Sequence, residues 1–344
     1  MQFYILFIFI VLTFFFLSRF FPVDSRKASF LEIIGLFIIV FIGIFRFDVG
    51  WDYVNYYDYI DKVQVNQIIR LEPLSQAFCV IAILFDSPPL LFVLFGLPTY
   101  LIFFHSLKKK SVNFQFSILV FLAFFYLESF TSVRQVLALS ITFWGFKYVL
   151  KQSFFKYALV VSLAALFHAS ALAALFIYPV YRFLNLRMIV FIIPTLFLAK
   201  EILFRILYTL GIYTYYIDKL EDYTGGGIVR YVQIALFLSL LLLSYLRRID
   251  ESENKLFTII GIALLFPFIL GPSLGSRLGM YFLIYLCLLV PYVLQKYSIQ
   301  YRLFYAICFL GYFLAMVYIG SNNAFKSLYV PYQLIFKVEN IQFR

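Results

Sequence analysis

The stretch SFLEIIGLFIIVFIGIFRFDVGWDYVNYYDYI (Ser29–Ile60) decides the fold. From Ser29 to Phe45 it holds a single charge, Glu32, over the length of about 17 to 25 mostly apolar residues that a bilayer-crossing helix needs. Then the composition turns over within a few positions. Arg46, Asp48, Asp52, Asp58 and Asp61 arrive among Trp51 and four tyrosines (Tyr53, Tyr56, Tyr57 and Tyr59), the amphipathic aromatics typical of a membrane–water interface. One helix therefore crosses lipid and delivers a charged, Tyr-rich segment to one surface.

Working outward, runs of the same kind recur at Phe3–Phe21, Pro89–Leu107, Phe114–Phe130, Ser132–Leu150, Met188–Leu207, Tyr231–Leu246, Phe257–Leu270, Leu278–Leu294 and Leu303–Ile319. Pro73–Phe85 is short, and Phe154–Tyr181 carries His168 near its middle. With 64% hydrophobic and 13% charged residues, a soluble domain is excluded. The expectation is an all-α, polytopic transmembrane bundle of about 10–12 spans, one membrane domain over 1–344, with broken or re-entrant segments. Cys79, Cys287 and Cys308 sit in apolar runs and read as small buried hydrophobes.

The net charge of +11 is carried mostly by short basic turns: Arg19, Arg26 and Lys27; Lys108, Lys109 and Lys110; Lys147, Lys151 and Lys156; Arg182 and Arg187; Arg247, Arg248 and Lys255; Lys296 and Arg302. Basic turns mark the cytoplasmic side, so the charge is a topology signal rather than a nucleic-acid footprint. All six groups share that side only if Pro73–Phe85 does not cross and Phe154–Tyr181 folds as a hairpin about His168. The outer face then receives residues 46–71, 211–230 and the tail 321–344, and Gly225–Gly227 could hinge the second of these.

Four arginines break the charge rule on that outer face. Arg46 opens the segment with Asp48 and Asp52 around Gly50, a spacing that fits an Arg–Asp pair closing a loop and a working surface equally. Arg134 lies where one helix gives way to the next, with Glu128 placed to neutralise it; a cationic wall facing an anionic ligand fits as well. Arg230 and Arg277 are the other two. Guanidinium forks suit phosphate or pyrophosphate. At the hairpin tip, His168 is either a satisfied core residue or a group that binds phosphate or takes a hydroxyl proton. His105 stands beside the three lysines and carries no assigned chemistry. The chain has no Walker loop, no dinucleotide fingerprint, no nucleophile elbow and no Cys/His metal spacing, so neither metal nor cofactor is expected and an activated, membrane-delivered substrate is.

Several short motifs resemble the EpsG/Wzy-type polysaccharide polymerases of bacterial inner membranes, which include many O-antigen polymerases. They are R-x-D-V-G-x-D-x-x-x-Y (Arg46–Tyr56), E-P-L (Glu72–Leu74), S-x-R-Q-x-L-A-L (Ser132–Leu139), F-H-x-S-A (Phe167–Ala171), S-R-L (Ser276–Leu278) and V-P-Y (Val330–Tyr332). The resemblance implies a GT-C-like glycosyltransferase working on the periplasmic face without nucleotide sugar. It would transfer a growing glycan from undecaprenyl pyrophosphate to a new lipid-linked repeat unit. On that reading Arg46, Arg134, Arg230 and Arg277 hold pyrophosphate, and Asp52 or His168 is the base. Asp48, Tyr56, Glu72 and Tyr281 complete the binding residues. A flippase and a chain-length regulator are the implied partner proteins. The competing readings are a lipid-linked glycan flippase or transporter and an O-antigen ligase.

Overall fold

The computed structural model describes residues 1–21, 25–65, 71–189, 227–323 and 327–337, with isolated positions between 190 and 226. It is an all-α bundle. The chain opens with α1 (Gln2–Ser18) and α2 (Arg26–Ile44), whose N-terminus is capped by Ser25 accepting the Ala28 N–H at 3.1 Å. Next come α3 (Tyr53–Gln64), α4 (Pro73–Leu84) and α5 (Leu90–Lys110). Then α6 (Phe114–Phe121) runs through a π-turn at Leu122–Tyr126 into α7 (Glu128–Thr131), followed by α8 (Val133–Leu150). α9 (Phe154–Ala165) leads into a 3₁₀ segment (Ala169–Phe176) and α10 (Ile177–Phe183). The last five helices are α11 (Gly227–Leu246), α12 (Glu251–Ile269), α13 (Pro272–Leu283), α14 (Leu286–Leu294) and α15 (Ile299–Ser321).

Among the described residues, α2, α5, α11, α12 and α15 are each long and apolar enough to cross a bilayer, and α13 with α14 makes a sixth, bent by 51°. This is a multi-pass membrane protein. The expected straight run Leu278–Leu294 is thus a broken span that begins at Pro272, where Gly271 (φ 79°) turns the chain and proline occupies the first helical turn. The apolar run Met188–Leu207 lies largely outside the described residues, as does the outer loop 211–230 up to position 226. Cys79 and Cys287 are buried, but Cys308 is exposed on α15, contrary to its reading as a core residue.

Both irregular spans behave as the charge pattern requires. α4 has 12 residues, about 18 Å at 1.5 Å per residue, too short for a core of about 30 Å. Phe154–Tyr181 is a hairpin: the Tyr157 hydroxyl donates to the Ala174 carbonyl at 2.8 Å, Tyr178 donates to Gln152 O at 3.0 Å, and the Phe154 and Tyr178 rings lie 5.2 Å apart. The returning limb brings its end back beside the start of α9.

The basic turns are knitted together at one end. Arg19 donates to Asn113 (3.0 Å), Lys108 pairs with Glu32 (3.1 Å), Lys110 caps the carbonyl of Phe143 (2.6 Å), and Lys296 bridges Asp250 (3.1 Å) and buried Glu253 (2.9 Å). At the other end the C-terminal segment straps across the chain. Strand β2 (Gln333–Leu334) pairs antiparallel with β1 (Arg46–Phe47), Gly50 N–H donates to Leu328 O (2.8 Å), and Tyr332 donates to Ile42 O (2.6 Å).

Candidate active site at the helix breaks

The site forms where helices end early. Ser132 separates α7 from α8, and the segment Arg46–Trp51 packs directly on this break. Trp51 N–H donates to Thr131 Oγ1 at 3.3 Å, and Gly50 has φ 108° with its α-carbon so close that an added Cβ would lie 2.3 Å from Phe130 O. Only glycine fits there without strain.

Arg46 is only 2% exposed. Its Nε donates to Val49 O (3.1 Å), one Nη to Phe130 O (2.9 Å) and the other to Gly43 O, while the guanidinium lies over the Phe92 and Phe130 rings. It ties the loop to two helix ends rather than facing a cavity. Asp48 is likewise buried at 1%, with φ 47°. Three carbonyls left open by the breaks thus find a buried donor.

Arg134 does not pair with Glu128. Its Nη1 donates to Glu72 Oε2 at 2.5 Å, with side-chain exposures of 15% and 19%, and the guanidinium lies over Tyr59 and against Tyr56. Its Nε is buried without a hydrogen-bond partner among the described residues. Glu72 Oε1 accepts the Ala169 N–H at 2.9 Å, so one carboxylate holds Arg134 and the hairpin tip together. Two more contacts fix the tip: Leu74 N–H donates to Leu166 O (3.0 Å), and Ser75 donates to Phe167 O (2.7 Å). The E-P-L-S segment and the F-H-x-S-A segment are thus one unit.

At that tip, His168 Nδ1 accepts the Ser170 backbone N–H (3.3 Å) and contacts Ser170 Oγ (2.6 Å), which continues to the Tyr281 hydroxyl at 3.0 Å. With Nδ1 engaged as acceptor, the neutral imidazole carries its proton on Nε2. Arg134 and Arg277 both lie within electrostatic reach of this ring, and of Asp52. Asp52, at the start of α3 outside the spans, accepts Asn55 Nδ2 at 3.2 Å; burial pushes its carboxyl above the usual range, against the opposing pull of Arg277, Asn55 and Arg134. Arg277 is held from behind, its carbonyl accepting Gln135 Nε2 at 2.7 Å.

Five of the residues singled out from the sequence, Asp52, Glu72, Arg134, His168 and Arg277, therefore converge with Tyr56 and Tyr281 from five chain segments. Arg230 stands apart. It lines a cavity of about 270 Å³ on the other side of the break, with its guanidinium over the Phe268 ring. Glu128, expected to neutralise Arg134, lines this same cavity instead. Among the described residues no group of three or more potential metal ligands exists.

No curated protein and no solved structure matches the chain. A family model does, over residues 28–334, which takes in every segment of the cluster and most of the C-terminal strap. The chain belongs to the EpsG family, the family of Wzy-type polysaccharide polymerases.

Proposed function

We propose that the protein is a bacterial inner-membrane O-antigen or related polysaccharide polymerase that joins undecaprenyl-pyrophosphate-linked repeat units at its periplasmic face, in a GT-C-like bundle. One observation carries the reading: two arginines, a carboxylate and a histidine meet at the end of the bundle opposite the basic turns, in a chain of a polysaccharide-polymerase family. Arg134 and Arg277 suit a pyrophosphate leaving group, because guanidinium forks hold phosphate oxygens bidentately and stabilise charge as the sugar–phosphate bond breaks. Glu72 and Tyr56 hold the Arg134 guanidinium in place. Arg46 and Asp48 act through the loop they hold, and Arg230 serves a neighbouring subsite.

Between the two candidate bases, the geometry favours Asp52. His168 has its acceptor nitrogen engaged by Ser170 and presents an N–H, which suits donation to a phosphate or sugar oxygen. Asp52 has a raised carboxyl affinity for protons, which makes it a stronger base for the attacking hydroxyl. Tyr56 and Tyr281 are buried, so they support Arg134 and the hairpin tip from beneath rather than stacking on sugar.

The test is complementation of a gene deletion with Asp52→Asn, His168→Ala or Arg277→Ala and display of the surface glycan by gel. Collapse of the ladder to a single-repeat band is the expected result. Complete loss of glycan would favour a flippase or ligase, and an unchanged ladder in all three variants would remove the site assignment.

A further inference from the structure

The cavity of about 270 Å³ beyond the helix break is not used by the chemistry above. Glu128, Arg230, Gln233 and Tyr312 supply its polar groups, and Phe124 and Met280 are among its apolar walls. The π-turn at Leu122–Tyr126 shifts the register of the helix just before Glu128, and such turns recur at functional positions. Among the described residues no hydrogen bond or ion pair engages the Glu128 carboxylate, although Arg277 and Asp52 lie within electrostatic reach. Gln233 and Tyr312 are joined at 3.0 Å. A carboxylate on the wall of a membrane-depth cavity is costly unless something completes its hydrogen bonds.

We infer that this cavity binds the terminal, non-reducing sugar of the acceptor glycan, with Glu128 accepting hydrogen bonds from its hydroxyls. The inference builds on the polymerase reading. Chemistry selects the occupant: Glu128 and Arg230 together give the wall no net charge, a carboxylate accepts from vicinal hydroxyls, Arg230 and Gln233 can donate to them, and the aromatic walls suit a pyranose face. Size agrees, since ligand pockets run from about 300 to 1,000 Å³, so this one takes a single sugar and not a repeat unit. Substrate chemistry assigns the sugar to the acceptor. The donor's reacting sugar is bonded directly to pyrophosphate, whereas the acceptor's reacting end is remote from its lipid phosphate. Position agrees too, because Glu128 and Ser276 line the cavity while Arg277 and Asp52 both lie within electrostatic reach of Glu128.

The test uses full-length protein in nanodiscs and saturation-transfer NMR with methyl glycosides of neutral hexoses, N-acetylhexosamines and hexuronic acids. At least one neutral glycoside should bind saturably. Binding should weaken tenfold or more in Glu128→Ala and in Ala123→Phe, which fills the cavity. Glu128→Gln, nearly isosteric and uncharged, guards against misfolding and should admit the uronic acid better than wild type does. Absence of any glycoside binding, or binding indifferent to Glu128→Ala and Ala123→Phe, overturns the inference even if the catalytic variants lose the ladder. Cavity-dependent binding together with an intact ladder in those variants would instead overturn the catalytic assignment and leave the sugar site standing.

Discussion

Asp52, the proposed base, also links stability to pH. Its carboxyl holds its proton more tightly in the fold than the ordinary value of about 3.9, because burial outweighs the pull of Arg277, Asn55 and Arg134. The sign follows directly: the protonated form is the one the fold prefers, so the group favours folding at low pH and opposes it as pH rises through the raised pKa. Asp52→Asn should therefore raise the melting temperature at neutral pH while abolishing polymer formation, measured by thermal unfolding in detergent and by the glycan ladder. In wild type, the acid limb of kcat/KM should centre above the ordinary carboxylate value; a limb at that value, with no gain in melting temperature for the variant, would remove Asp52 as the proposed base. The pairing of Arg134 shows the limit of reading residues in order. Glu128 is six positions away and Glu72 far upstream, yet Glu72 is the partner, because packing brings Glu72 onto the Arg134 guanidinium while Glu128 lines the cavity with Arg230.

At the scale of elements, the loop Arg46–Trp51 and the break at Thr131–Val133 satisfy each other's backbone. Phe130 O accepts from Arg46 and lies where a Cβ on Gly50 would fall. Gly50→Ala must displace that carbonyl and adopt a φ that side chains resist, a strain of about 1–3 kcal/mol. The expected outcome is a lower melting temperature and loss of long polymer with normal membrane insertion. Gly311→Ala, where nothing lies within 4 Å of the added carbon, should leave both unchanged. Equal melting curves for the two variants would show that the loop is not pinned. The hairpin about His168 was legible from charge alone, since a single crossing would have placed Arg182 and Arg187 opposite the other basic turns. Its attachment to Glu72, Leu74 and Ser75 was not, because those contacts join segments about 90 residues apart.

Over the whole molecule, one end carries the knitted basic turns and the other the strap, the loop and the candidate cluster. In a cysteine-free background, a membrane-impermeant maleimide added to intact spheroplasts should label Trp51→Cys, at a site 45% exposed in wild type, and spare Ser111→Cys. Label at Ser111 instead would put the cluster on the cytoplasmic side. The sequence by itself determined the helical class, the membrane as solvent, the gathering of basic turns and the residue types of the candidate cluster. These are local properties, carried by apolar run length and by charge at the run ends. Only the tertiary structure decided which arginine is a buried clamp, which carboxylate orients Arg134, which nitrogen of His168 is engaged, and that Glu128 and Arg230 share a separate cavity. Those outcomes depend on pairings between distant segments at early helix ends, where backbone groups excluded from water take whichever donor or acceptor the packing brings within reach.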